Sequence, residues 1–288
     1  AEITQHYYSN LYKYDTDKWA FYTNQSNLTT GTYTYQGFAK DTSGNQNSTD
    51  LRYLIVTALT YCNGNYTFGQ TAWNITSNIT CANETIYVAG NITIFNNGSL
   101  TLRNVTLNFS MFADGSSFIN KSKNGGLYIY DLDNNASTQE DATEIISNNS
   151  NFEYDFWVFG NGINDNFTLQ NSKVAYAGYS ANSQGIRLYN ISDAVIKGNN
   201  ISNGYYGLYL QSSKNNNIIN NTIYSNSQSG IYLSSSSNNT LANNTAYSNS
   251  QDGIFLATST NNTLVNNIIY SNTVRGVHLA SSSGNIMA

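Results

Sequence analysis

The sequence has no proline in 288 residues, only two cysteines, two histidines and two methionines, and few charges. Twelve basic and 17 acidic side chains make up 10% of the chain and leave a net charge of −5. That balance excludes the basic footprint with which nucleic-acid-binding domains meet phosphates. No apolar run approaches the length of a membrane-spanning helix. His6 and His278 lie far from Cys62 and Cys81, so no zinc-ligand spacing is present and no metal site is expected. Nucleophile-elbow and phosphate-loop motifs are missing as well. Ala1-Glu2-Ile3 has no basic n-region, so the expectation is a cleaved leader or a piece of something larger. Without proline, turn making falls to Asn, Ser and Gly.

What is present is repetition. The phrases Gly185-Ile186-Arg187-Leu188, Gly207-Leu208-Tyr209-Leu210, Gly230-Ile231-Tyr232-Leu233, Gly253-Ile254-Phe255-Leu256 and Gly276-Val277-His278-Leu279 are spaced by 22, 23, 23 and 23 residues. Asparagine, 48 residues of the chain, recurs in phase: Asn199-Asn200, Asn220-Asn221, Asn243-Asn244 and Asn266-Asn267, then Asn203, Asn226, Asn249 and Asn272. A fixed period of twenty-odd residues is the signature of a solenoid.

The repeat reads as β structure. Its apolar positions come in short period-2 pieces such as Ile231/Leu233, each bounded by Ser/Asn/Gly clusters. No unit holds the helical period that a helical repeat needs. Three short strands and three turns fit one coil of a right-handed parallel β-helix, with coils stacked roughly 4.8 Å apart. Ile and Leu then point inward, and stacked asparagines bond amide to amide along the turns.

The phrase N-N-T-L-x-N-N-x-x-Y-S-N-x-x-x-G-I-x-L, at 238–256 and again at 261–279, resembles the parallel β-helix repeat of extracellular carbohydrate-binding proteins, sugar hydrolases and archaeal surface proteins. The match is specific over about 165–285 and degenerate over about 84–164. It implies fold and an extracellular milieu more firmly than activity, because function lives in sites grafted on folds.

Residues 1–57 do not share the repeat. The strand Gly31 to Ala39, the turn Asp41 to Asn45 and the return strand Leu51 to Val56 resemble the last hairpin of immunoglobulin-like modules on microbial surface proteins. Asn10–Tyr14 and Trp19–Thr23 read as further strands, fewer than a sandwich needs. The expectation is therefore an incomplete sandwich at 1–57, followed by a β-helix over 58–288 that is regular from about 165. Cys62 and Cys81 read as one disulfide pinning the start of the solenoid, with two buried free thiols as the alternative.

Asn-x-Ser/Thr occurs about twenty times. Candidate N-glycosylation sites are Asn24, Asn27, Asn47, Asn65, Asn74, Asn78, Asn83, Asn91, Asn97, Asn104, Asn108, Asn120, Asn135, Asn148, Asn166, Asn190, Asn200, Asn238 and Asn261. Composition alone generates such triplets in a chain this rich in Asn, Ser and Thr. Asn220 and Asn243 are expected in an inward ladder, closed to glycans. No cofactor is expected beyond covalent glycans.

In Gly-[Ile/Leu/Val]-x-Leu the x side chain points outward and stacks coil on coil as Arg187, Tyr209, Tyr232, Phe255 and His278. Tyr224, Tyr247 and Tyr270 form a second row. Such rows suit glycan or subunit contact, or simply reflect aromatic preference for strands. Acidic residues are sparse in the coils, where only Asp193 and Asp252 stand, at different phases. The run Asp131 to Glu144, with Glu153 and Asp155, is the one candidate cluster. The reading that follows is a non-catalytic, N-glycosylated extracellular structural or adhesive protein, such as a coat or filament subunit assembling through open strand edges. Its rivals are a secreted polysaccharide lyase or hydrolase and a carbohydrate-binding module.

Overall fold

A computed structural model of the chain describes residues 11–15, 18–21, 31–36, 38–40, 43–48, 50–56, 72–133 and 141–288. Contacts divide the chain into two units, residues 1–59 and 60–288. In the first, Leu11–Asp15 pairs antiparallel with Lys18–Phe21, Gly31–Tyr35 with Arg52–Val56, and Phe38–Lys40 with Gln46–Ser48. These are separate two-stranded pairings. The immunoglobulin-like sandwich is not found among the described residues.

The second unit is an all-β parallel solenoid with three faces. Among the described residues face A has nine strands, one per coil: Ala72–Ile75, Asn91–Ile94, Phe118–Lys121, Asp155–Phe159, Ile186–Tyr189, Leu208–Gln211, Ile231–Ser234, Ile254–Ala257 and Val277–Ala280. Faces B and C begin as shared 11-residue strands, Asn78–Val88 and Ser99–Phe109. From there face B continues through Gly126–Tyr130, Phe167–Gln170, Val195–Lys197, Asn217–Ile219, Thr240–Ala242, Thr263–Val265 and Ile286–Met287. Face C continues through Glu144–Ser147, Lys173–Ala175, Asn200–Ser202, Thr222–Tyr224, Thr245–Tyr247 and Ile268–Tyr270.

Each regular coil sends two side chains inward from face A and one from each other face. In one coil these are Ile231, Leu233, Leu241 and Ala246, all at 0% exposure. In-register pairing of Ile231 with Ile254 and Leu233 with Leu256 stacks like on like. The corner between faces B and C is left-handed in every regular coil, at Asn171, Gly198, Asn220, Asn243 and Asn266. Asparagine and glycine tolerate that conformation. Proline, locked at negative φ and lacking an N–H, suits neither these corners nor strands bonded on both sides, which gives its absence a physical cause.

The buried side of the turns holds polar ladders. Asn199, Asn221, Asn244 and Asn267 form one, each Nδ2 donating to the next Oδ1 at 2.8 to 3.0 Å. Asn216, Asn239, Asn262 and Asn285 form a second. Asn226, Asn249 and Asn272 form a third. Ser213, Ser236, Ser259 and Ser282 line a fourth, each backbone N–H donating to the next Oγ. Two expectations need correction. Asn220 and Asn243 are exposed corner residues, because the left-handed turn throws them outward while the following asparagine is buried. Asn203 is not part of the third ladder: Gly204 occupies that rung and donates its N–H to Asn226.

Candidate functional site

Strand register on face A aligns one outward column: Asn74, Thr93, Asn120, Trp157, Arg187, Tyr209, Tyr232, Phe255 and His278. The inward neighbours Ile and Leu fix this phase by burial. Tyr209 and Tyr232 lie 5.0 Å apart and tilted by 45°. Tyr232 and Phe255 stack at 4.7 Å and 4°, Phe255 and His278 at 4.3 Å and 5°. Tyr206 stacks on Tyr209 at 5.5 Å, so Tyr209 is only 6% exposed rather than openly outward. Burial first, then the neighbouring tyrosines, pushes the Tyr206 hydroxyl up to about 12. Arg187 leaves the stack, donating from Nη2 to Gln211 Oε1 at 2.8 Å and lying 5.5 Å from the Tyr189 ring.

A second outward column on face A runs beside the first: Phe159, Tyr189, Gln211, Ser234, Ala257 and Ala280. It tapers from aromatic to methyl, so the Tyr232 to His278 ridge overlooks a shelf of small side chains. The Tyr224, Tyr247 and Tyr270 row stands on face C, stacked at 5.2 and 5.1 Å.

Asp252 lies beside the ridge, 5% exposed, with Oδ2 3.0 Å from His278 Nδ1. Arg275 Nη1 is 3.7 Å from Asp252 Oδ1 and 2.8 Å from the same His278 nitrogen. One nitrogen cannot donate to Asp252 and accept from Arg275 together. We assign the Nδ1 proton to the Asp252 bond, because a buried carboxylate can only accept, whereas half-exposed Arg275 reaches water. His278 Nε2 is then the lone-pair nitrogen, able to take a proton. Sequence reading missed this group. Its signal was a pair of opposite charges one period apart, Asp252 and Arg275, placed on adjacent coils by the solenoid.

The expected acidic cluster separates into several groups. Asp131, Asp133 and Asp141 bring carboxylate oxygens within 4.8 Å of one another. Glu144 pairs instead with Lys173 at 2.7 Å. Glu153 faces Asp114, and burial, then the Asp114 carboxyl, raises it to about 7. Asp155 accepts from Ser183 Oγ, and its own burial raises it. Asp193 accepts from the Asn164 N–H.

Among the candidate glycosylation sites, Asn74, Asn78, Asn83, Asn97, Asn148, Asn166, Asn238 and Asn261 are exposed. Asn91, Asn104, Asn108, Asn120, Asn190 and Asn200 are half-buried. Asn104 Nδ2 donates to Asn83 Oδ1 at 2.9 Å, joining two sequons across adjacent coils. The side chains of Asn24, Asn27, Asn47, Asn65 and Asn135 lie outside the described residues, as does Cys62 and with it the pairing expected for buried Cys81. No helix among the described residues is long and apolar enough to cross a membrane.

Among curated proteins none matches the sequence. The solved structure of the periplasmic alginate epimerase AlgG is similar at 16% identity and a TM-score of 0.36, covering 75% of this chain and 56% of that one. The chain thus spans little more than half the length of that relative. The A-module of the Azotobacter vinelandii mannuronan C-5 epimerase AlgE4 is similar at 17% identity and a TM-score of 0.41, covering 70% and 67%. Likeness at that level concerns fold architecture alone. Both of those proteins are epimerases, and the expectation of a chain that is not an enzyme is withdrawn. Residues 158–288 match the family described as the right handed beta helix region, in keeping with the parallel β-solenoid that the strand pairing shows.

Proposed function

We propose that this chain is a carbohydrate-active β-helix protein that holds a polysaccharide along face A. The observation that carries the reading is the ridge Tyr232, Phe255 and His278, one ring per coil at 4.3 to 4.7 Å. A site that repeats at a fixed spacing calls for a ligand that repeats, hence a polymer. The lining is of ring edges, amides and hydroxyls with few charges, which suits the hydroxyls and apolar edges of a sugar polymer. The net charge of −5 disfavours nucleic acid.

The Asp252, His278 and Arg275 group supplies a positioned proton acceptor at one end of the ridge, as acid and base chemistry on a sugar requires. Extracellular localisation and glycan decoration belong to the same proposal and rest on the exposed sequons. The test is affinity electrophoresis through neutral and acidic polysaccharides, with product analysis by NMR after incubation. Retardation by at least one polymer, weakened in Tyr232→Ala/Phe255→Ala, is expected. Unretarded migration through every polymer would sink the reading.

A further inference from the structure

Stacked rings spend their faces on each other and show only edges to solvent. Phe159 is different. It meets Tyr189 at 65° and 6.0 Å, edge to face, which leaves ring surface uncovered by parallel stacking. That ring lines an open cleft of about 390 Å³ with Asn96, Asn120, Ser122, Lys123 and Asn124. The volume lies at the small end of the range, about 300 to 1,000 Å³, in which ligand sites fall.

The walls are held in place from behind. Buried Lys121 donates from Nζ to the Phe159 carbonyl at 3.1 Å. Asn161 Nδ2 donates to Asn124 Oδ1 at 3.1 Å, orienting that amide. The Asn161 loop is itself gathered by Asp165, whose carboxylate accepts the N–H groups of Asn161, Gly162 and Ser192 at 2.8 to 3.1 Å. A preorganised wall costs a ligand less to bind.

The cleft also sits on the track already described. Asn120 follows Asn74 and Thr93 in the outward column and directly precedes its first aromatic, Trp157, while Phe159 begins the tapering column beside it.

We infer that this cleft is a subsite for a terminal sugar residue, with Phe159 as the platform for its C–H face and Asn120 and Asn124 as hydroxyl partners. The inference rests on the polysaccharide reading of face A and places an end-recognition subsite where the aromatic part of that track begins. An end subsite fixes the register of a polymer that the uniform ridge alone would let slide.

The test is calorimetric titration of the full chain with defined disaccharides and hexasaccharides, neutral and carboxylated. Phe159→Leu keeps apolar bulk and removes the π face, and Asn120→Ala is a second variant. Melting curves confirm folding. Disaccharide affinity is expected to fall about fivefold to tenfold in Phe159→Leu, the scale of one aromatic contact. Tyr232→Ala is expected to weaken the hexasaccharide only. Wild-type disaccharide binding in both cleft variants, or hexasaccharide binding that depends on Tyr232 alone, overturns the subsite and leaves the face A reading standing. Disaccharide binding lost in Phe159→Leu, with Tyr232→Ala silent on every polymer, overturns the long-track reading and keeps the cleft. No sugar bound by any form overturns both.

Discussion

Asn221 and Asn244, one coil apart, are joined twice: Asn244 Oδ1 accepts both the backbone N–H and the Nδ2 of Asn221, each at 3.0 Å. Asn244 Nδ2 in turn donates to the Ile218 carbonyl at 2.8 Å and to Asn267 Oδ1 at 3.0 Å. Asn244→Ala therefore strips partners from several buried groups at once, at about 1 to 3 kcal/mol for each one left bare. A fall in thermal midpoint of several degrees is expected, against almost none for Asn243→Gly at the exposed left-handed corner next to it. Equal midpoints would show that the ladder carries no stability.

Leu256 is fully buried, whereas Tyr232 stands on the outer ridge. Leu256→Asp buries a carboxylate without a partner and is expected to cost about 4 kcal/mol or more. Tyr232→Ser loses ring contacts worth about 1 kcal/mol. Circular dichroism melts would separate the two, and parity between them would contradict the assigned phase.

Glu153 titrates at about 7 in the fold, because burial and then Asp114 oppose its charge. Its folded value lies above its unfolded one. Its contribution to stability is thus full below the ordinary carboxyl range and is lost as pH rises through about 7. Melting temperature should decline across that window in the wild type and decline less in Glu153→Gln. Identical profiles would show that Glu153 does not couple to folding.

Asn238 and Asn261 are exposed sequon residues at equivalent left-handed corners of adjacent coils. One strand spacing, roughly 4.8 Å, separates such positions. That gap cannot seat two glycans side by side. Expression in a glycosylating host followed by peptide mapping should find chains carrying one or the other, never both. Doubly occupied peptides would show that the corner opens during modification.

The repeat was legible because each coil must solve the same packing problem with the same residues. Ile231, Leu233 and Leu241 announce the inward phase, and the Ser/Asn/Gly clusters between them announce the turns. The Arg187 to His278 column was likewise readable from period alone. Asp252 with His278, and the Phe159 cleft, were not. Their partners sit 26 residues away in one case, and across three coils and a turn in the other.

Local chemistry thus determined a great deal by itself. Short alternating apolar pieces bounded by Asn, Ser and Gly can bury their faces only by stacking, so period and fold follow from the chain alone. Which asparagine of each Asn-Asn pair turns inward was decided by the corner geometry, since one left-handed residue reverses the direction of its neighbour. Whether an aromatic shows its face or its edge was also decided in three dimensions. Tyr232 and Phe255 occupy the same strand position as Trp157, yet parallel stacking hides their faces, while the tilt between Phe159 and Tyr189 exposes one. Ring orientation depends on neighbours one coil away, and no stretch of sequence contains both.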